Sequence, residues 1–309
     1  VRVGKISIIF IAIFSLLYFY NQYLIAQLKR PYVAALMFHS IIDSGPRNEK
    51  EDGDVITSKH LRNDLIYLKK RGYQYVNTDG LISILGNTGS VNKNVKNIFV
   101  TFDDGYKNNY TKAFPILKEL NINALISVVV YYIQNQNTSV NGRSINGKYM
   151  TWDDINEMLQ SGLIEIGSHS YNSHYYIPRV TAPDEPPSIS TRTEVPALAG
   201  RKVKKGIIEN RNMYVQRITH DLQNSKKYIY ENTAVASKVL TYPFGWSSYE
   251  ARKVARKLGF SVQVGIRPGV NTSLEDLSDI KRIVVKNSYT PKQIEEKINF
   301  CIGIKNLLP

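Results

Sequence analysis

The sequence predicts an α/β fold, a closed or nearly closed barrel of mostly parallel strands wrapped by helices. Two patterns carry that prediction. Short apolar strands alternate with amphipathic helices along most of the chain, about seven times, which favours a barrel over an open sheet. Unusual residues also follow the C-terminal ends of four separate strands, and in βα barrels that rim is where sites are built.

The elements follow in chain order. After Arg2 and Lys5 comes ISIIFIAIFSLLYFYNQYLIAQL, uncharged over residues 6–28 and closed by Lys29 and Arg30. As a helix it is long enough to span a bilayer, for which about 20 residues suffice. No convincing A-x-A-like cleavage site follows, which favours a retained anchor over a cleaved signal peptide. Residues 1–30 are therefore read as a signal anchor or signal peptide, with the bulk of the chain outside the cell membrane. Residues 31–309 are read as one domain without internal repeats.

The first strand, 32–38 (YVAALMF), delivers His39. Residues 43–56 are polar and read as a loop. In SKHLRNDLIYLKKRG, Leu61, Leu65 and Leu68 share one helical face. The strand at 98–102 runs into Asp103, Asp104 and Gly105. Side chains alternate along a strand, so adjacent acids cannot both point one way unless the strand has ended. A helix at 109–120, a strand at 124–130, a helix at 152–160 and a strand at 163–167 follow, and this last strand delivers His169. Residues 178–200 are rich in proline, serine and threonine and read as a long irregular excursion. A helix at 210–232 precedes a strand at 239–242, which delivers Pro243, Phe244 and Gly245. A helix at 249–258, strands at 260–264 and 282–285, and a helix at 291–300 complete the pattern.

The hydrophobic fraction of 43% is ordinary for a globular protein. Forty Lys and Arg against 26 Asp and Glu give a net charge of +14, which suits acidic surroundings. No zinc-finger spacing or RNP-like aromatic strand accompanies that charge, so the reading is no nucleic acid. The single cysteine, Cys301, excludes an internal disulfide.

His169 and His174 lie in GSHSYNSH, too far apart around a regular helix to share a face, and converge only where the backbone turns. Two imidazoles and a carboxylate make a three-ligand set that leaves positions for water and substrate, as catalytic metal sites do. His60 and His220 read as solvated surface residues.

Together, TFDDG, HSYNSH and TYPFG resemble the three motifs of the polysaccharide deacetylases of carbohydrate esterase family 4, which share the NodB homology domain. The resemblance spans residues 33–298 and implies a distorted (β/α)7-type barrel. Most members have three residues between the motif histidines where HSYNSH has four, and most place a catalytic-acid histidine near the C-terminus. Here no histidine follows His220, and ALMFHSI stands near the start. Both features, with PPSISTR and the helix before TYPFG, are similar to the circularly permuted branch that deacetylates poly-β-1,6-N-acetylglucosamine, the intercellular-adhesin type.

The resemblance implies that Asp104, His169 and His174 hold one divalent metal, usually zinc, with nickel, cobalt or iron in some members. It assigns Asp103 as general base, His39 as the acid for the departing amine, and the backbone N–H of Phe244 as an oxyanion donor whose side chain is replaceable. Many members carry a base-orienting arginine where this chain has Thr241; Arg282 is the candidate substitute. Tyr106, Tyr171, Tyr175 and Trp246 are candidates for stacking on sugar rings, with packing as the equal alternative.

The implied partners are an extracellular N-acetylglucosamine polymer of biofilms and, through the N-terminal helix, the membrane; the expected location is the bacterial cell surface, anchored or secreted. Two other functions stay open. One is a deacetylase of peptidoglycan or chitin-type β-1,4 chains. The other is a non-catalytic carbohydrate-binding protein on the same fold.

Overall fold

The computed structural model describes residues 31–44, 52–86, 95–140, 142–180, 192–204, 206–273 and 276–307, with 15, 16 and 20. The expected anchor therefore lies almost wholly outside the described residues. Among those described, no helix is long and apolar enough to cross a membrane.

The strands of the main sheet are β1 (Tyr32–Phe38), β2 (Tyr73–Tyr75), β3 (Lys96–Phe102), β4 (Ala124–Val128), β5 (Ile164–Ser168), β6 (Val239–Thr241), β7 (Val262–Val264), β8 (Asn271–Thr272) and β9 (Arg282–Val284). Parallel pairing runs β7-β6-β5-β4-β3-β1, and β9 continues it by pairing parallel with β1 from Ala35 to Met37. A parallel bridge from Val264 to Ile280, just before β9, brings the two ends together. The result is a nearly closed barrel. β2 pairs parallel with the start of β3, and the short β8 pairs antiparallel with the start of β1.

The central strands are largely apolar because both faces are covered. β1, β3 and β4 are almost wholly buried. Helices α1 (Ser58–Lys70), α2 (Thr78–Leu85), α3 (Phe114–Leu120), α4 (Val130–Gln134), α5 (Trp152–Gln160), α6 (Arg211–Thr233), α7 (Tyr249–Lys257) and α8 (Pro291–Leu307) connect or cover them. α1 starts at Thr57, whose hydroxyl accepts the N–H of His60, and turns Leu61, Leu65 and Leu68 inward as the leucine spacing predicts.

Several expectations change. The helix expected at 109–120 begins with a π-helical turn, Asn109–Ala113. The strand expected at 124–130 stops at Val128, because the chain turns into α4 from Val130. Within the supposed loop 43–56, Val55 and Ile56 begin a short strand, Val55–Thr57, parallel to Ser40–Ile42. The stretch 178–200 is not wholly irregular: Glu194–Pro196 pairs antiparallel with Tyr176–Pro178, while residues 181–191 fall outside the described ones. His60 is half-buried rather than solvated, its Nδ1 lying 2.8 Å from Thr57 Oγ1. His220 is exposed as expected.

α1 also buries Asp64 among its leucines, 1% exposed, with no hydrogen-bond partner for either oxygen. Burial pushes its carboxyl up to about 7. An unfolded aspartate titrates near 3.9, so between about pH 4 and pH 7 the folded chain binds the proton that the unfolded chain has lost. Stability falls as pH rises through that window. Asp64→Asn should therefore raise the melting temperature at pH 8 and change it little at pH 5. Equal shifts at the two pH values would disconnect Asp64 from the pH dependence.

Candidate active site

Four strand ends build the site. β1 ends at Phe38 and presents His39; β3 ends at Phe102 and presents Asp103 and Asp104; β5 ends at Ser168 and presents His169; β6 ends at Thr241, ahead of Phe244. Asp104 adopts φ 72°, a left-handed conformation rare outside glycine. That turn separates the two adjacent acids. Gly105 continues it at φ 75°, where a Cβ would stand 2.9 Å from Val128 Cγ1. Glycine is required there on both counts.

Asp103 points to Arg282. Its two oxygens accept from Nη1 and Nη2 at 2.8 Å each, a bidentate pair in which neither residue is more than 2% exposed. Burial alone would raise the Asp103 carboxyl, but the Arg282 charge and hydrogen bonds, with help from His169 and His39, hold it below the usual range. Arg282 also donates from Nε to the Gly265 carbonyl at 2.7 Å and from Nη1 to Thr101 Oγ1 at 3.2 Å. Arg282, the candidate substitute for the arginine absent at Thr241, thus lies directly against Asp103. His39 Nε2 lies 3.9 Å from Asp103 Oδ2.

Asp104 turns instead to the two other histidines. Its Oδ1 lies 3.5 Å from His169 Nε2 and 3.1 Å from His174 Nε2, yet it is buried and lacks a hydrogen bond of proper geometry. The three ligand atoms lie within 4.8 Å of one another. His169 Nδ1 is 2.8 Å from the Thr241 carbonyl. A carbonyl only accepts, so Nδ1 carries the proton and Nε2 of the neutral ring turns a lone pair toward Asp104. Burial keeps that ring neutral, pushing His169 down to about 4.

A lone pair facing an anionic oxygen calls for a cation between them. Burial opposes charge on His174, but the closeness of the Asp104 carboxylate, with that of Asp103, outweighs it and raises its pKa. Burial likewise works against ionised Asp104, and His174 more than offsets it, leaving the carboxyl far below its usual range. Two nitrogens and one carboxylate oxygen suit zinc and equally cobalt, nickel or iron. The donor set fits a divalent ion.

Phe244 sits at φ 56°, inside a short 3₁₀ turn, Pro243–Gly245. Its ring packs on His174 at 4.4 Å between centroids and on Tyr176 at 4.2 Å. The expectation of a replaceable side chain left out this contact, because nothing in TYPFG reveals a left-handed residue that throws its ring onto a histidine. Of the other aromatics, Tyr106 stacks on Tyr149 and lines a cavity of about 480 Å³ with Ser40, Asp54 and Lys148. Trp246 lies under the Arg192 guanidinium, Tyr175 lies under the Lys202 ammonium, and Tyr171 packs on Tyr228.

The sequence model of the polysaccharide deacetylase family matches residues 90–263. The chain is 25% identical over 270 residues to a poly-β-1,6-N-acetyl-D-glucosamine N-deacetylase of Escherichia coli K12, an alignment covering 85% of this chain and 38% of that protein. The chain thus spans well under half the length of that relative. Among solved structures, the BpsB deacetylase domain of Bordetella bronchiseptica superposes with a TM-score of 0.69 at 26% identity, over 82% of this chain and 96% of that one. A de-N-acetylase from Aggregatibacter actinomycetemcomitans superposes with a TM-score of 0.75 at 22% identity, over 86% and 100%, a likeness of fold.

Removing one member of a buried ion pair leaves the other charge uncompensated, at a cost of about 3–5 kcal/mol. Arg282→Met should lower unfolding free energy in urea by that order. Adding Asp103→Asn in the same chain should recover part of the loss, because no charge then stays buried. A double variant as unstable as Arg282→Met alone would show that Arg282 acts through packing instead.

Proposed function

The chain belongs to the polysaccharide deacetylase family, and from that premise we propose that it is a metal-dependent N-deacetylase of an extracellular poly-β-1,6-N-acetylglucosamine-type polymer of biofilms. One observation carries the reading. Two adjacent aspartates are held by different partners, Asp103 by Arg282 and Asp104 toward His169 and His174, so one can act on a proton while the other binds an ion.

In this reading Asp104, His169 and His174 hold a single divalent ion, zinc being the usual choice for such donors. The bound ion supplies Lewis acidity, lowering the pKa of a water and polarising the acetyl carbonyl. Asp103 takes the proton from the attacking water. Arg282 aims its carboxylate and keeps it ionised at neutral pH. The N–H of Phe244 donates to the oxygen that becomes negative as the carbonyl carbon turns tetrahedral. His39, beside Asp103, gives its proton to the glucosamine nitrogen as the C–N bond breaks and acetate leaves.

The cavity beside Tyr106 falls in the size range of small-molecule sites and would take a neighbouring sugar unit. The β-1,6 linkage is supported by the four-residue gap between His169 and His174, by His39 near the start of the chain, and by the curated activity of the Escherichia coli relative. The apolar run at 6–28 would hold the enzyme at the outer face of the cell membrane.

Acetate release tests the reading. The metal-loaded enzyme should deacetylate poly-β-1,6-N-acetylglucosamine and leave β-1,4-linked chitin oligomers and peptidoglycan largely untouched; the reverse pattern would reassign the polymer. Asp103→Asn should lower kcat by about 10²–10⁴, the range for a lost general base. Chelation should abolish activity, and added zinc or cobalt should restore it. An Asp103→Asn enzyme of undiminished rate, or a rate indifferent to chelation, would remove the mechanism.

A further inference from the structure

The loop that joins the two histidines is an expensive piece of backbone. Ser170 lies at φ 76°, a left-handed conformation that is strained for a non-glycine residue. Four residues must reverse the chain so that His174 returns to the Asp104 oxygen which His169 already faces. No helix or strand covers this stretch, so its shape depends on individual hydrogen bonds.

Those bonds converge on Asp221. This residue lies in the middle of α6, some fifty positions away along the chain, and is 8% exposed. Its Oδ1 accepts the N–H of Tyr171 at 3.0 Å, and its Oδ2 accepts the N–H of Asn172 and the hydroxyl of Ser173, both at 2.9 Å. Consecutive N–H groups aimed at one carboxylate fix the local dihedral angles, because both must point the same way. Within the loop, Ser173 N donates to Ser170 Oγ at 3.0 Å, and Ser170 N donates to Ser168 Oγ at 3.1 Å. From the opposite side Val130 N and Tyr131 N, at the start of α4, donate to the carbonyls of Ser170 and Tyr171 at 3.2 and 2.9 Å. The α4 contacts hold the carbonyl side of the loop, and among the described residues Asp221 is the side chain that binds Tyr171, Asn172 and Ser173 together, the residues leading into His174.

We propose that Asp221 is a positioning residue of the metal centre: its carboxylate folds residues 170–173 so that His174 meets Asp104, and it thereby sets the affinity for the ion. The inference rests on the metal-binding reading above. An asparagine is nearly isosteric but has one acceptor oxygen in place of two, so one of the backbone N–H groups would face an amino group. The loop would relax from φ 76° at Ser170, and His174 would spend part of its time turned away.

The experiment is a metal titration of the demetallated full chain with Zn²⁺ against a chromogenic chelator, alongside thermal melts of the same samples. Outer partners of metal ligands typically change affinity about 10- to 100-fold, and Asp221→Asn should weaken Zn²⁺ binding by that factor. Ser173→Ala removes one of the three bonds and should weaken it roughly three- to tenfold. Leu222→Ala, the neighbouring residue of α6 packed in the separate apolar cluster with Tyr242 and Phe260, should lower the melting temperature while leaving Zn²⁺ affinity at the wild-type value. If Asp221→Asn behaves like Leu222→Ala, less stable but with unchanged affinity, Asp221 is a brace of the fold and the proposal is overturned. Should Asp221→Asn fail to fold, Ser173→Ala decides, and unchanged affinity there overturns it equally. A wild-type chain that takes up no divalent ion defeats the metal reading itself, and this proposal with it.

Discussion

The pair between Arg282 and Asp103 joins the architecture of the barrel to the chemistry of its rim. Arg282 starts β9, the strand that completes the ring against β1, and its side chain reaches past β1 to Thr101 and Asp103 at the end of β3. Its Nε also binds the carbonyl of Gly265, just after β7. One guanidinium thus links the last strands of the sheet to a central one, with its donors in a planar fork that lysine could not reproduce. An arginine that is 1% exposed is costly to bury alone. Pairing it with a buried carboxylate makes each charge tolerable, and ties the ionisation of Asp103 to the closure of the barrel.

A second constraint is the geometry of strand ends. A strand sends successive side chains to opposite faces, so a cluster at one rim needs the backbone to leave the extended conformation immediately. Asp104, Ser170 and Phe244 all have positive φ, and each lies in or beside a residue that faces the site. Strain of this kind persists where surrounding bonds over-determine it. Here Gly105 accommodates the turn after Asp104, Asp221 gathers the loop after Ser170, and the rings of His174 and Tyr176 pack against Phe244.

Much of this was legible because it is local. The apolar strands that form the barrel ring stand out as runs bounded by turn residues, and the leucine spacing of α1 gives its inward face directly. His39, Asp103, Asp104 and His169 were legible because each closely follows such a run, and His174 because it stands five residues beyond His169 in GSHSYNSH. β2 and α2 escaped notice: Tyr73–Tyr75 spans too few residues for a period to register, and Thr78–Leu85 is a short helix whose cap, Asn77, gives only a weak signal. Arg282 could be named as a candidate but not chosen, since its partner lies 179 positions away and only the ring of strands brings them together. Asp221 left no trace at all. It sits in a helix of mixed charge where an acid looks solvated, and its burial appears only once α6 is laid against the turn that follows β5.

The same logic separates the two aspartates more firmly than their own chemistry does. As free side chains they would titrate alike. In the folded chain Asp103 faces a permanent cation that satisfies both its oxygens, whereas Asp104 Oδ1 faces two imidazoles, one of them fixed as a neutral lone-pair donor by the Thr241 carbonyl. The first environment satisfies a carboxylate with a side chain already in place; the second sets a carboxylate oxygen and two imidazoles within 4.8 Å of one another, a donor set that fits a divalent ion. Exchanging the residue types would change nothing, since both are aspartate. Exchanging their partners would exchange their environments, so the difference between the two aspartates of TFDDG belongs to β9, β5 and β6 as much as to the motif that displays it.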